Sequence, residues 1–95
     1  MYYNFNPHLS KPLNVIHPRH VKYMQKLLLM PIPESIVNIF LFGGSLDPAC
    51  DRWSDIDLYA VADSEDVNAS WKELYDLCKK MGHPFDLLAA NRKLF

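Results

Sequence analysis

The chain has 95 residues, 10 basic and 11 acidic side chains, a formal charge of -1, and 49% hydrophobic against 22% charged residues. That length holds one small core and excludes a multi-domain protein, the composition excludes a disordered one, and the lack of a basic excess argues against a general polyanion binder, which must neutralise several phosphates. Two cysteines, Cys50 and Cys78, are too few for a disulfide framework, the N-terminus (MYYNFNPHLSKPLN) has no basic or apolar leader region, and no apolar run approaches the roughly 20 residues that cross a bilayer, so a cytoplasmic location without a membrane span is expected.

Residues 1–17 carry prolines, asparagines and aromatics without a period and read as an irregular N-terminal arm; Tyr2, Tyr3 and Phe5 can dock on a partner or on the domain itself. From Pro18 to about Leu29, Val21, Met24, Leu27 and Leu28 recur on one side, which predicts a short amphipathic helix that Met30-Pro31-Ile32-Pro33 stops. Its basic stretch, His17, Arg19, His20, Lys22 and Lys26, reads as a solvated face, with phosphate or nucleic-acid attraction as the alternative. Val37 to Phe42 predicts an interior strand ending in a Gly43-Gly44 turn, and Asp55 to Ala62 a second strand. Glu65 to Met81 repeats Val67, Trp71, Leu74, Tyr75, Cys78 and Met81 at helical spacing, with Ser64 as cap, Glu65 and Asp66 in the first turn, Lys79 and Lys80 in the last, and Gly82 at the exit. Pro84 to Ala90 predicts a third strand. The sum is an α/β (α+β) domain with a small mixed sheet flanked by two helices.

On an extended strand side chains alternate faces, so Asp55 and Asp57 project to one side with alpha carbons roughly 6.5 to 7 Å apart. Paired carboxylates repel unless a cation lies between them, and hard oxygen ligands suit magnesium, which keeps waters and takes substrate phosphates. Asp86 joins them if the third strand pairs beside the second. The turn Gly43-Gly44-Ser45 lets backbone and hydroxyl approach phosphate oxygens, so phosphate and metal meet at one place. The pattern GxxxxGK[ST] of a P-loop is absent.

The segment FLFGGSLDPACDRWSDIDLYAV, a Gly-Ser followed by Asp-x-Asp, resembles the signature of the DNA polymerase β nucleotidyltransferase superfamily, and most closely its minimal nucleotidyltransferase (MNT) domains; the likeness spans about residues 36 to 90. It implies a polymerase β-like fold over residues 18–95 and a magnesium-dependent transferase that moves a nucleoside monophosphate, AMP from ATP, to an acceptor hydroxyl. By the same resemblance Asp55 and Asp57 bind two magnesium ions, Asp86 completes the metal site and helps deprotonate the acceptor, and Gly43, Gly44 and Ser45 hold the triphosphate. Many minimal members carry arginines directly after the serine; here stand Leu46, Asp47, Pro48 and Ala49, and Arg52 is the cation of the loop assigned to the nucleotide. Stand-alone domains of this size often act as antitoxins beside a small helical HEPN protein, which makes a HEPN-type partner or a homo-oligomer the expected company and a protein tyrosine a candidate acceptor. No sequence-specific nucleic acid is expected.

Two other function classes stand beside this one. A catalytically inactive nucleotidyltransferase fold serves as an antitoxin-like interaction module, and small-molecule transfer, as in aminoglycoside-modifying relatives, usually needs a second domain. His83, Cys78 and Cys50 lack the paired short spacings of a zinc site. Trp53 reads as a cap over the core, with base stacking as the alternative.

Overall fold

The computed structural model describes residues 2–11, 13–51 and 53–94. Among them the elements run β1 (Tyr2–Phe5), α1 (Pro18–Leu28), β2 (Ile36–Phe42), β3 (Ile56–Ala62), α2 (Val67–Lys79) and β4 (Phe85–Asn91), with 3-10 turns over Gly43–Ser45 and Arg92–Leu94. They form a small mixed α+β domain whose 4-stranded sheet has the order β1-β2-β3-β4.

Proline at the first turn of α1 loses no hydrogen bond, because that amide has no helical acceptor, and the His17 ring accepts the next free amide, that of Arg19. Met24, Leu27 and Leu28 are buried as the periodicity requires, and so is His20, which the sequence assigned to the solvated face. In α2 the cap is Asp66 rather than Ser64. The Asp66 carboxylate accepts from the Ala69 amide, while the Ser64 hydroxyl, two residues before the cap, accepts from the Asp66 amide. Gly82, at φ +80°, provides the left-handed exit after the helix.

The N-terminal arm is not irregular throughout. Tyr2–Phe5 form an edge strand antiparallel to β2, with Tyr2 opposite Phe42 and Phe5 opposite Ile39. β2 and β3 are antiparallel, with Leu41 opposite Leu58 and Phe42 opposite Asp57. β3 and β4 are parallel, as the intervening helix α2 allows, with Leu58 opposite Leu87 and Asp57 opposite Asp86.

Alternation then sorts the two faces. One face presents Ile39, Leu41, Ile56, Leu58, Ala60 and Leu87, which merge with Met24, Leu27, Leu74, Cys78 and Met81 into a single buried cluster. Both helices thus deliver their apolar stripes to the same side of the sheet. The Trp71 indole ties α2 to the edge strand by donating to the Leu87 carbonyl at 2.8 Å. The other face, with Tyr2, Phe40, Phe42, Asp57, Tyr59, Asp86 and Leu88, stays exposed or half-buried. No described helix is long and apolar enough to cross a membrane.

Candidate active site at the end of strands β2 and β3

Strand β2 ends at Phe42, and the chain reverses through Gly43 at φ +53°, a conformation that L side chains rarely adopt. The reversal brings the turn against the start of β3. An ideal Cβ on Gly43 would lie 3.3 Å from the Asp57 Oδ2, and one on Gly44 would lie 3.0 Å from the Ser54 Cβ and 3.1 Å from the Asp55 carbonyl oxygen. The two halves of the motif therefore touch, and only glycine lets them. Gly44→Ala is expected to cost about 1–3 kcal/mol, because the atoms it meets include backbone that cannot swing aside. Chemical denaturation would check this, and an unchanged midpoint would show that the turn has slack.

The carboxylates meet as the strand arithmetic requires. Asp57 lies directly across from Asp86 on parallel neighbours, and Asp55 stands exposed just before β3. Burial, then the charges of Asp86 and Asp55, then hydrogen bonding with Asp86 push the Asp57 carboxyl above the usual aspartate range. Among the described residues no three His, Cys, Asp or Glu side chains converge tightly enough to hold a metal ion by themselves. The donor set is instead a carboxylate pair with a third acid beside it. That composition fits magnesium, which binds through one or two carboxylates and completes its shell with water and phosphate.

Ser45 departs from expectation. Its side chain is fully buried, and its Oγ sits 3.0 Å from the His20 Nδ1 rather than facing a ligand. The Ser54 carbonyl can only accept, so the His20 Nε2, 3.0 Å away, carries the hydrogen, and the neutral ring's Nδ1 accepts from the Ser45 hydroxyl. Burial, followed by the nearby His83, holds the His20 pKa below its ordinary value, consistent with that neutral tautomer. His83 donates to the same Ser54 carbonyl at 2.8 Å, and the His17 amide donates to the Ser45 carbonyl at 2.7 Å. His20 therefore clamps α1 to both loops of the site, the glycine turn through Ser45 and the approach to Asp55 through Ser54. The sequence carried a signal for it: His20, Met24 and Leu27 sit at i, i+4 and i+7, one helical face.

Asp47 turns its carboxylate back to accept from the Ala49 amide at 2.8 Å, which occupies one of its oxygens within its own loop. Trp53 is 76% exposed and does not cap the core. Arg52 lies outside the described residues. Cys50, buried with its thiol 3.6 Å from the His20 Nε2, is pushed up by burial, and Cys78 is pushed up to about 12, so both thiols stay protonated near neutral pH. The chain matches no protein-family model, no curated protein and no solved structure.

Proposed function

We propose that the chain is a magnesium-dependent nucleotidyltransferase of the polymerase β type, which transfers AMP from ATP to an acceptor hydroxyl and releases pyrophosphate. The observation that carries this reading is the Phe42–Asp57–Asp86 rung, which sets two adjacent carboxylates against the glycine turn. Asp55, Asp57 and Asp86 are the residues that would hold magnesium, and bound metal would neutralise charge that develops on the phosphates. Gly43 and Gly44 let the triphosphate approach the backbone. Ser45, with its hydroxyl turned to His20, serves by fixing the turn. The acceptor oxygen bonds to the α-phosphorus as the bond from that phosphorus to the pyrophosphate oxygen breaks, and the hydroxyl proton passes to Asp86. An acceptor on a partner protein, such as a tyrosine of a HEPN-type toxin, rests on the family resemblance alone.

A second reading is favoured by the buried Ser45 hydroxyl and by Asp47 in the turn's loop: a chain that keeps the fold and binds a partner without turning over nucleotide. Thermal unfolding with ATP and magnesium separates the two. Ligand at a hundred times its Kd stabilises the native state by about 2.7 kcal/mol, which for a domain of this size is roughly 10–20 °C. A shift that needs both ATP and magnesium supports the transferase, whereas no shift at millimolar ligand removes it and leaves the interaction module.

A further inference from the structure

Alternation along β2 places Asn38, Phe40 and Phe42 on the open face, opposite Val61, Tyr59 and Asp57 of β3. The Phe40 and Phe42 rings lie nearly parallel, 21° apart with centroids at 6.3 Å. Tyr2 leans against both at 5.5 and 5.9 Å, and Tyr59 meets Phe40 edge-on. Cross-strand pairs such as Tyr2 with Phe42 account for the aromatic residues in these strands, yet Phe42, at the end of β2, is left 37% exposed beside two acids. Phe42 lines the groove that contains Asp57 and Asp86 and also the hollow over Gly43 and Leu46, so its ring bridges the carboxylates and the glycine turn. Two rungs down the strand, Phe40 and Asn38 line a second groove with Asn6 and Arg92.

We propose that this strip is a nucleobase subsite in which Phe42 and Phe40 stack the base and Asn38 reads its edge, making adenine the preferred base. The inference rests on the transferase reading, which places the α-phosphate at the Asp57 rung. At about 3.3 Å of rise per residue, Phe40 lies roughly 7 Å and Asn38 roughly 13 Å along the strand from that rung, the reach of a nucleotide from its α-phosphorus across the ribose and a purine ring. An aromatic surface on a four-stranded sheet backed by helices is a general platform for bases, since every base offers a π-face. An asparagine amide, with a donor and an acceptor side by side, complements the N6/N7 edge of adenine, whereas guanine offers two acceptors, O6 and N7, along that edge. The charge of Asp57 and Asp86 beside the rings argues against a strand of nucleic acid lying along the face, because its phosphates would meet unneutralised carboxylates. A single nucleotide brings its magnesium with it.

The experiment is titration of the full chain with Mg-tripolyphosphate, Mg-ATP and Mg-GTP, for the wild type and for Phe42→Leu, Phe40→Leu and Asn38→Ala. ATP is expected to bind more tightly than tripolyphosphate, each leucine variant to lose about 5-fold or more in ATP affinity with tripolyphosphate affinity unchanged, and Asn38→Ala to narrow the preference for ATP over GTP. Retained tripolyphosphate binding shows that a variant is folded, and exposed Phe42 decides the matter if Phe40→Leu fails to fold. Equal affinity for ATP and tripolyphosphate, unmoved by Phe42→Leu, overturns the base subsite and leaves the transferase reading intact. If neither ligand binds the wild type, both fall.

Discussion

Asp57→Asn is expected to abolish transfer, by on the order of 10²–10³-fold or more, while raising the unfolding midpoint of the ligand-free protein. The two effects have one cause. Burial and the Asp86 and Asp55 charges raise the folded-state pKa of Asp57 above its ordinary 3.8, so the native fold prefers that carboxyl protonated. Above the folded-state pKa it is ionised in both states and the repulsion acts only in the folded one. The neutral amide removes a destabilising charge, with a gain of order 0.5–1 kcal/mol, in line with other relieved surface charges. The sign follows from linkage: the penalty is absent below pH 3.8, builds as pH rises toward the folded pKa, and is constant above it, so the gap between variant and wild type should open with rising pH. Unfolding of both proteins between pH 3 and 7, beside a transfer assay with magnesium and ATP, would check it. A variant less stable than wild type at pH 7 would mean the carboxylate serves the fold, and the site would lose its main support.

His20→Leu is expected to cost about 2–3 kcal/mol, chiefly the desolvation of a buried hydroxyl left without a partner. Leucine matches the apolar surroundings but can neither accept from the Ser45 Oγ nor donate to the Ser54 carbonyl. The Ser54 carbonyl keeps His83 as a donor, so the larger orphan is Ser45. At roughly 4–8 °C per kcal/mol for a domain of this size, the midpoint falls by about 8–24 °C. The pH dependence identifies the mechanism. With a folded-state pKa below 6.5, His20 contributes its full stability above pH 6.5, and part of it is lost as pH falls below that value, because the unfolded chain takes the proton more readily. The wild type, whose His20 also feels His83, His17 and Asp55, should weaken on acidification more than His20→Leu does. Parallel pH profiles for the two proteins would show that the ring is not the buried, neutral clamp described here.

Much of this architecture was legible from pattern. β2, β3, β4 and both helices lie within a residue or two of where periodicity places them, since each buries one regular stripe in a single core. The Asp57–Asp86 rung was also reachable, because a strand–helix–strand unit favours parallel neighbours and the two aspartates then align. What escaped depends on contacts distant in sequence. Tyr2–Phe5 has no strand period of its own and is a strand because β2 offers it an edge. His20 shows its burial only through its place on the Met24 and Leu27 face, and nothing local to Ser45 marks it as the partner that satisfies that ring. Ser64 and Asp66 are both good caps two residues apart, and local preference could not choose between them.

Among the described residues the helices stack behind one face only, so the acids, the glycine turn and the rings form a floor without a roof. A reaction on such a floor is open to bulk solvent, where water competes with any hydroxyl for the same phosphorus. On the transferase reading, selectivity for an acceptor would come from a lid brought by the acceptor itself. On that reading the domain would be half of a catalytic chamber, and productive chemistry would begin only when another surface closes it.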